Sequence, residues 1–280
     1  AVLITSPNYY GVCSDIEKIS EIVHAHGKIL IVDEAHGAHL AFMDKIAPFR
    51  GDIKNQHSKA QKLAAEASGA DIAILSTHKT LASFTQTAIL LVCSDRVDVD
   101  TIANNLQILQ SSSPSYILMA SLDLNARIIE EYGDALFKEW QADLDYAYEE
   151  LRKIQGLELL EMELLDRTKL VFGLSEIGIS GYELDALLRE RGIFCELSDS
   201  RFVMAMSGIG SKRKDYELLI SALNEIAEQA CESGRNSVSR EEDEIVLMDE
   251  LYRHGEIFDV PSETERLVAR ECEGKISAQA

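Results

Sequence analysis

Lys28-Ile29-Leu30-Ile31-Val32-Asp33 is an unbroken apolar run that ends in a carboxylate, and it decides the fold class. A short, continuous apolar run is typical of a strand that is buried on both faces of a sheet. Asp71-Ile72-Ala73-Ile74-Leu75-Ser76 repeats the pattern, residues 87–93 form a third buried-type run, and a short apolar run lies at residues 2–4. Residues 14–27 have apolar positions at helical spacing. Strands that alternate with helices in this way predict an α/β fold with a mainly parallel sheet.

The rest of the sequence predicts long helices and then a second, smaller unit. Residues 114–154 contain few helix breakers, so we expect them to leave the sheet as connecting helices. Further elements are predicted as strands at 169–174, 193–196 and 202–207 and as helices at 58–68, 181–191, 215–232 and 244–254. The expected divisions are a partial large domain (1–120), connecting helices (121–165), a small α/β domain (166–232) and a further region (233–280).

The sequence is strongly acidic, because 27 Lys and Arg against 48 Asp and Glu give a formal net charge of −21. No basic stripe could offset repulsion from phosphates, so we expect no nucleic-acid partner. No apolar run reaches the roughly 20 residues that span a bilayer, so we expect no membrane segment. The cysteines are scattered without a C-x-x-C pair, which indicates reduced thiols and a cytoplasmic location. They are Cys13, Cys93, Cys195, Cys231 and Cys272.

The run at 71–76 leads directly into Thr77-His78-Lys79-Thr80. Ligands of open α/β sheets bind at the carboxyl ends of the strands, which is where Lys79 falls. Burial favours the neutral amine of a lysine, and a neutral amine can form an imine with a carbonyl group. Ser76 and His78 could hydrogen-bond a phosphate nearby. The alternative interpretation is an ordinary surface lysine in a polar loop.

A second motif, Asp33-Glu34-Ala35-His36-Gly37-Ala38-His39, follows the first buried strand. Pyridoxal 5'-phosphate (PLP) forms an imine with a lysine and needs a carboxylate at its pyridine nitrogen, since the protonated ring is the better electron sink. Asp33 suits that role, and the small Ala35 would let the ring lie against the backbone. Two alternatives remain open: Asp33 as a cap or loop acid, and a metal site of Asp33, His36 and His39. We expect no metal, because no H-E-x-x-H motif is present.

Together these motifs resemble the bacterial ornithine/lysine/arginine decarboxylase family, which has the aspartate-aminotransferase-like PLP fold type I. The block at 76–88, Ser-Thr-His-Lys-Thr-Leu-Ala-Ser-Phe-Thr-Gln-Thr-Ala, is the most specific part of the resemblance. The likeness extends over nearly the whole chain, through Ser6-Pro-Asn-Tyr-Tyr-Gly-Val, Ser112-Ser-Pro-Ser-Tyr, Leu187-Leu-Arg-Glu-Arg-Gly-Ile and Gly274-Lys-Ile-Ser-Ala-Gln-Ala.

The resemblance implies a role for several residues. It implies that Lys79 is the Schiff-base lysine and that Asp33 is the partner of the pyridine nitrogen. It places Ala35 and His36 beside the ring, Ser76 and His78 near the phosphate, and Ser112 or Ser113 at the cofactor of a neighbouring subunit. It thereby implies a homodimer or higher homo-oligomer with shared active sites. The family's phosphate-cradling loop and its ring-stacking residue have no counterpart in these 280 residues, so we expect the chain to be a fragment that carries about half of a cofactor site.

The implied reaction is decarboxylation of arginine, lysine or ornithine, a step in polyamine biosynthesis. An aminotransferase or α-oxoamine synthase is the alternative enzyme class, and a non-catalytic PLP-fold protein is the alternative of another kind. Aminotransferases fasten the substrate carboxylate with an arginine on a strand of the small domain, and here the strand at 202–207 lacks one, although Arg201 just precedes it. Glu196 and Asp199 could bind the distal cation of a basic substrate, or could be solvated loop acids.

Overall fold

Three of the apolar runs lie side by side as parallel strands in the computed structural model, which describes residues 1–46 and 62–233. Strands β1 (Val2–Thr5), β2 (Leu30–Asp33) and β3 (Ile72–Leu75) are parallel, and β4 (Ile89–Val92) pairs antiparallel with β3. Leu30, Val32 and Ala73 are completely buried, as continuous apolar strands require. The mainly parallel sheet that the sequence predicts is therefore present.

Helix α1 (Ile16–Ala25) connects β1 to β2 and begins where its sequence supplies a cap. The Asp15 carboxylate accepts a hydrogen bond from the Lys18 N–H at 3.2 Å, which satisfies one of the free donors of the first turn. Ile16 and Val23 bury their side chains against the sheet. The other helices of the first half are α2 (Leu40–Ile46), α3 (Thr77–Thr80) and α4 (Val99–Leu109).

A single 36-residue helix, α5 (Tyr116–Leu151), leads to a second sheet. The strands of this sheet are β5 (Glu158–Leu159), β6 (Lys169–Gly173), β7 (Leu197–Ser198) and β8 (Val203–Met206), in the antiparallel order β5-β6-β8-β7. Helices α6 (Gly181–Glu190) and α7 (Arg213–Glu232) complete this half. Trp140 and Leu144 of α5 are buried in one apolar core with Phe172 of β6 and Leu223 of α7.

The structure corrects several of the predicted elements. The strand expected at 193–196 is wrong: the Ile193 N–H still donates to the Leu188 carbonyl at the end of α6, and the strand begins only at Leu197. The sequence did not predict α4 or β5, and the helices expected at 114–154 are one helix. Within the expected helix at 58–68, the described residues form only a 3-10 turn, Ala65–Ala67. The elements expected at 234–280 lie outside the described residues.

The fold brings three loops to one edge of the first sheet. Strands β1, β2 and β3 run in the same direction, so the loops that follow Thr5, Asp33 and Leu75 leave from the same side. This carboxyl edge is where open α/β sheets bind their ligands. Across residues 1–46 and 62–233, no helix has both the length and the apolar character needed to cross a membrane.

Candidate active site

Lys79 lies on the short helix α3, directly after the buried strand β3. Its Nζ is 3.0 Å from Nε2 of His36, which lies on the loop after β2. Lys79 is half-buried and His36 is buried. The two motifs that the sequence singled out are therefore in direct contact through these side chains.

Three buried hydroxyl groups fix the turn that carries Lys79. The Ser83 Oγ lies 2.7 Å from both Thr77 Oγ1 and Thr87 Oγ1, and the two threonine oxygens are 2.9 Å apart. Nδ1 of His78 is 2.9 Å from the Thr87 carbonyl oxygen, so His78 also joins the turn to the residues that precede β4. Buried, mutually satisfied polar groups of this kind rigidify a local structure.

The loop after β2 is tightly folded around Asp33 and His36. The Asp33 Oδ1 accepts a hydrogen bond from the Ala35 N–H at 3.1 Å. Gly37 is required by close packing, because a Cβ at that position would lie 2.6 Å from the Glu34 side chain and 2.9 Å from Pro7. These contacts hold Asp33 and His36 at the same edge of the sheet as Lys79.

The His36 imidazole is electrostatically unusual. Burial, followed by the positive charges of Lys79 and Lys169, lowers the pKa of His36 to about 4, although the carboxylates of Asp166 and Asp33 act in the opposite direction. The imidazole is therefore neutral at pH 7. It packs against the Tyr9 ring at a centroid distance of 4.5 Å, and its Nδ1 is buried without a hydrogen-bond partner in the described parts of the chain. A ring nitrogen held in this way is available to a bound ligand.

We expect an NMR titration of the His36 ring protons in the PLP-free protein to give a pKa near 4. In a Lys79→Met variant the pKa should rise toward 6.5, because removal of a nearby positive charge makes the imidazolium easier to form. A Lys138→Met variant is the control, since Lys138 is exposed on α5. A His36 pKa that is the same with and without the Lys79 charge would contradict this geometry.

Glu196 and Asp199, the two acids predicted to bind a basic substrate, contact the loop that follows β1 at this edge of the first sheet. The Tyr9 hydroxyl donates to Oε1 of Glu196 at 3.4 Å, and the Tyr10 hydroxyl donates to Oδ2 of Asp199 at 2.5 Å. The other Asp199 oxygen accepts from two backbone N–H groups, of Arg201 and the next residue. Both carboxylate oxygens of Asp199 are thus occupied, whereas Glu196 is exposed and its side chain accepts one long hydrogen bond from the described residues.

Comparison with known proteins defines the family. The family model for the major domain of Orn/Lys/Arg decarboxylases matches residues 1–170, which is more than half of the chain. The chain belongs to the Orn/Lys/Arg decarboxylase family. The resemblance that the sequence motifs suggested is confirmed.

Two bacterial relatives are similar to the chain in sequence, and two solved structures are similar to it in fold. The chain is 30% identical to an arginine decarboxylase of Bacillus subtilis, in an alignment that covers 96% of this chain and 55% of the relative. It is 31% identical to an arginine decarboxylase of Halalkalibacterium halodurans, and that alignment covers 81% of this chain and 45% of the relative. The solved structure of a lysine decarboxylase of Francisella novicida shares the fold, with a TM-score of 0.60 at 18% identity over 82% of this chain and 36% of that structure. A lysine decarboxylase of Pseudomonas aeruginosa has a TM-score of 0.62 at 22% identity over 81% of this chain and 36% of that structure. The chain thus spans about half the length of the curated relatives it matches, and its fold is the α/β PLP fold type I.

The residues at the sheet edge fit the PLP cofactor of this family. A lysine amine, a carboxylate at a strand end and an unpartnered imidazole nitrogen lie together there, on Lys79, Asp33 and His36. The Ala35 N–H donates to Asp33, Ser76 precedes the lysine turn, and His78 lies in the turn beside Lys79. The Ser76 hydroxyl does not cap α3, and the hydrogen bond of His78 uses only Nδ1.

Two predicted residues are not brought to this edge within the described chain. Ser112 and Ser113 are exposed in the segment between α4 and α5, where the Ser113 N–H bonds only to the neighbouring Ser111 hydroxyl. Their implied role involves a neighbouring subunit and stays a prediction. Arg201, the candidate carboxylate-binding arginine of the aminotransferase alternative, is instead paired with Glu158, with its Nε 2.8 Å from the carboxylate.

The sequence interpretation missed a buried polar cluster behind the site. It consists of Asp166, Thr168 and Lys169 at the start of β6 together with His39 from the loop after β2. His39 and Lys169 hold the pKa of the Asp166 carboxyl well below its usual range, although burial acts to raise it. A lysine opening an otherwise apolar strand, three residues after an aspartate, is the signal that could have revealed the cluster. Among residues 1–46 and 62–233, no group of three or more His, Cys, Asp and Glu side chains is placed to hold a metal ion.

Proposed function

We propose that the protein decarboxylates a basic amino acid, with PLP bound at Lys79. The observation that carries the proposal is the contact between the Lys79 amine and the neutral His36 imidazole, at the sheet edge where Asp33 also lies. The family membership and the arginine decarboxylases among its relatives support the same reaction.

Lys79 would hold the aldehyde carbon of PLP, and Asp33 would hold the pyridine nitrogen. Ala35 and His36 would lie beside the ring, and Ser76 and His78 would contact the phosphate. When bound, PLP supplies an electron sink for the pair of electrons left behind as CO2 departs. The half-buried Asp33 carboxylate keeps the site suited to a protonated pyridine.

The chain's own residues would position the substrate and manage its protons. The Lys79 Nζ, when it is not bonded to the cofactor, would carry the proton that the substrate Cα needs after loss of CO2. Neutral His36, 3.0 Å away, can accept a hydrogen bond from that ammonium without adding a second positive charge. Arg201, the candidate arginine for retaining the substrate carboxylate, is instead engaged by Glu158.

Of the two candidate acids, Glu196 suits the distal cation of the substrate better. Asp199 has both oxygens occupied, whereas Glu196 is exposed and is joined through Tyr9 to His36. A charge-assisted hydrogen bond at this position would select amino acids with a distal amine or guanidinium.

Replacing Glu196 with glutamine should raise KM for the preferred basic amino acid by about 10-fold or more, with a smaller change in kcat, since a hydrogen bond to a charged group contributes about 1.5–3 kcal/mol. Glu190→Gln, at an exposed position on α6, is the matched control. Steady-state CO2 release with arginine, lysine and ornithine measures the effect. Equal kcat/KM values for Glu196→Gln and the unsubstituted protein with all three substrates would remove Glu196 from substrate recognition.

The experiment that tests the function uses the full-length gene product with saturating PLP and each of the three basic amino acids. Release of CO2 and formation of the matching amine are expected for at least one of them. Turnover that requires a keto acid or an acyl-CoA, without CO2 release as the primary reaction, would instead assign the protein to the aminotransferases or α-oxoamine synthases.

We propose a homodimer in the cytoplasm as the working form and polyamine biosynthesis as the setting. Within the described chain, α4 buries none of its residues, and large apolar side chains are exposed at its end and at the start of α5. They are Ile108, Leu109, Tyr116 and Ile117. They flank Ser112 and Ser113, so a second copy that covers them would bring these serines to a neighbouring site. We also retain the division into domains at 1–120, 121–165 and 166–232 as a proposal.

A further inference from the structure

The buried cluster at the start of β6 holds the His36 loop at two points. The Lys169 ammonium lies 3.5 Å from the His36 carbonyl oxygen, and the Asp166 carboxylate lies 3.0 Å from Nε2 of His39. These two contacts are three residues apart on the same loop. Lys169 and Asp166 are themselves joined at 3.2 Å. One ion pair of the second sheet therefore fixes the loop that presents the imidazole to Lys79.

The cluster is sealed from solvent, so its charges have no alternative partners in water. The side chains of Lys169 and His39 have no exposed surface, and that of Asp166 is 1% exposed. Thr168 adds a hydroxyl hydrogen bond to Asp166 at 2.7 Å, and the Trp140 ring packs against His39 at a centroid distance of 5.3 Å. Ion pairs in such surroundings are costly to bury and costly to break, which makes them better suited to fixing a geometry than to adding stability.

The loop that carries Tyr9 is tied to the same place. The Asp166 N–H donates to the Gly11 carbonyl at 2.7 Å. Gly11 has a φ of +84°, and a Cβ there would lie 2.8 Å from the Asp166 carbonyl oxygen and 2.9 Å from the Lys169 Cβ. Only glycine permits this close approach. The Tyr9 and His36 rings pack together, and the loops that carry them are thus both hydrogen-bonded to residues at the start of β6.

We propose that Lys169, with Asp166 as its partner, is a positioning residue that holds the His36 loop in register with the Lys79 turn. Lys169 touches neither the Lys79 amine nor any group assigned above to the cofactor's ring or phosphate, apart from the main chain of His36. Its effect on the reaction passes through the imidazole, because the ammonium both holds the His36 main chain and adds a nearby positive charge that lowers the pKa of the ring. The kinetic part of this proposal rests on the proposed decarboxylase function, and the structural part does not.

The test compares amide hydrogen exchange and kinetics in the PLP-loaded, full-length gene product. In Lys169→Met, peptides that cover residues 34–40 should exchange about 10-fold faster or more, because the ammonium no longer holds the His36 carbonyl. The kcat for CO2 release should fall about 10-fold or more while KM changes less than 3-fold, since Lys169 does not touch the substrate. The double variant Asp166→Asn/Lys169→Met removes the buried ammonium and its carboxylate partner together. It should fold and show the same faster exchange even where Lys169→Met alone does not fold.

Asp71→Asn is the matched control. Asp71 is also fully buried and paired with a histidine, His24 at 2.8 Å, but it lies at the opposite end of β3 from Lys79. This variant should lose stability without faster exchange at 34–40. The proposal would be overturned if the Lys169 variants showed unchanged exchange at residues 34–40 and a kcat equal to that of Asp71→Asn. The Lys169–Asp166 pair would then be an ordinary buried ion pair with no effect on the His36 loop. Absence of CO2 release in the unsubstituted protein would refute the proposed function, while the exchange data would still decide the role of Lys169.

Discussion

Replacing Lys79 with methionine should lower kcat for CO2 release by at least about 1,000-fold at saturating PLP. The amine is needed twice in the proposed function, to hold the cofactor and to return a proton to Cα. Methionine matches the length of the lysine stem, and Lys79 is only half-buried, so the fold should persist. The surrounding turn is fixed by Thr77, Ser83 and Thr87, none of which bonds the Lys79 side chain.

The measurement is CO2 release from the preferred substrate, together with thermal unfolding of each variant. Lys138→Met controls for the loss of one positive charge from a chain of formal net charge −21, because Lys138 is exposed on α5. It should retain full activity. A Lys79→Met protein that keeps more than about a tenth of the kcat would show that the reaction does not depend on this amine.

Replacing Asp33 with asparagine should lower kcat by about 100- to 10,000-fold, which corresponds to roughly 3–5 kcal/mol of transition-state stabilisation. Asparagine retains an oxygen that can accept the Ala35 N–H, so the loop geometry should be preserved. It removes the negative charge that would keep the pyridine nitrogen protonated, and a neutral ring is a poor electron sink.

The kinetics of Asp33→Asn are compared with those of Asp134→Asn, an exposed position on α5. The absorbance of bound PLP, recorded alongside, distinguishes loss of chemistry from loss of cofactor. We expect Asp33→Asn to bind PLP and to turn over slowly. A kcat within about 3-fold of the unsubstituted protein would mean that Asp33 has no part in the chemistry.

The sequence was sufficient for those parts of the fold that local patterns dictate. Strands β2 and β3 follow from unbroken apolar runs, and α1 follows from its cap at Asp15 and the spacing of Ile16 and Val23. The strand expected at 193–196 was misplaced because Ile193 still closes the end of α6, a backbone contact with no signature in the apolar pattern. Helix α4 was missed although Val99, Ile102 and Leu106 recur at helical spacing, and in the described chain it buries no residue.

The candidate site was predictable where its residues are neighbours in sequence and unpredictable where they are not. Each of the two motifs follows a buried strand, and parallel strands bring their ends together, which is why His36 and Lys79 meet. The contact between Lys169 and the His36 carbonyl joins residues 133 positions apart, and no local pattern encodes it. The roles proposed for Ser112 and Ser113 depend on a second subunit and remain predictions.

Reduction with borohydride, followed by peptide mapping, identifies the lysine that holds PLP. The full-length gene product would be saturated with PLP, reduced, digested and analysed by mass spectrometry. We predict a phosphopyridoxyl group on the Nζ of Lys79, and no such group on that peptide in Lys79→Met. A label that lies only on other lysines would contradict the assignment of Lys79. No label at saturating PLP would contradict it too, and would leave the chain as a PLP-type fold without the cofactor's chemistry.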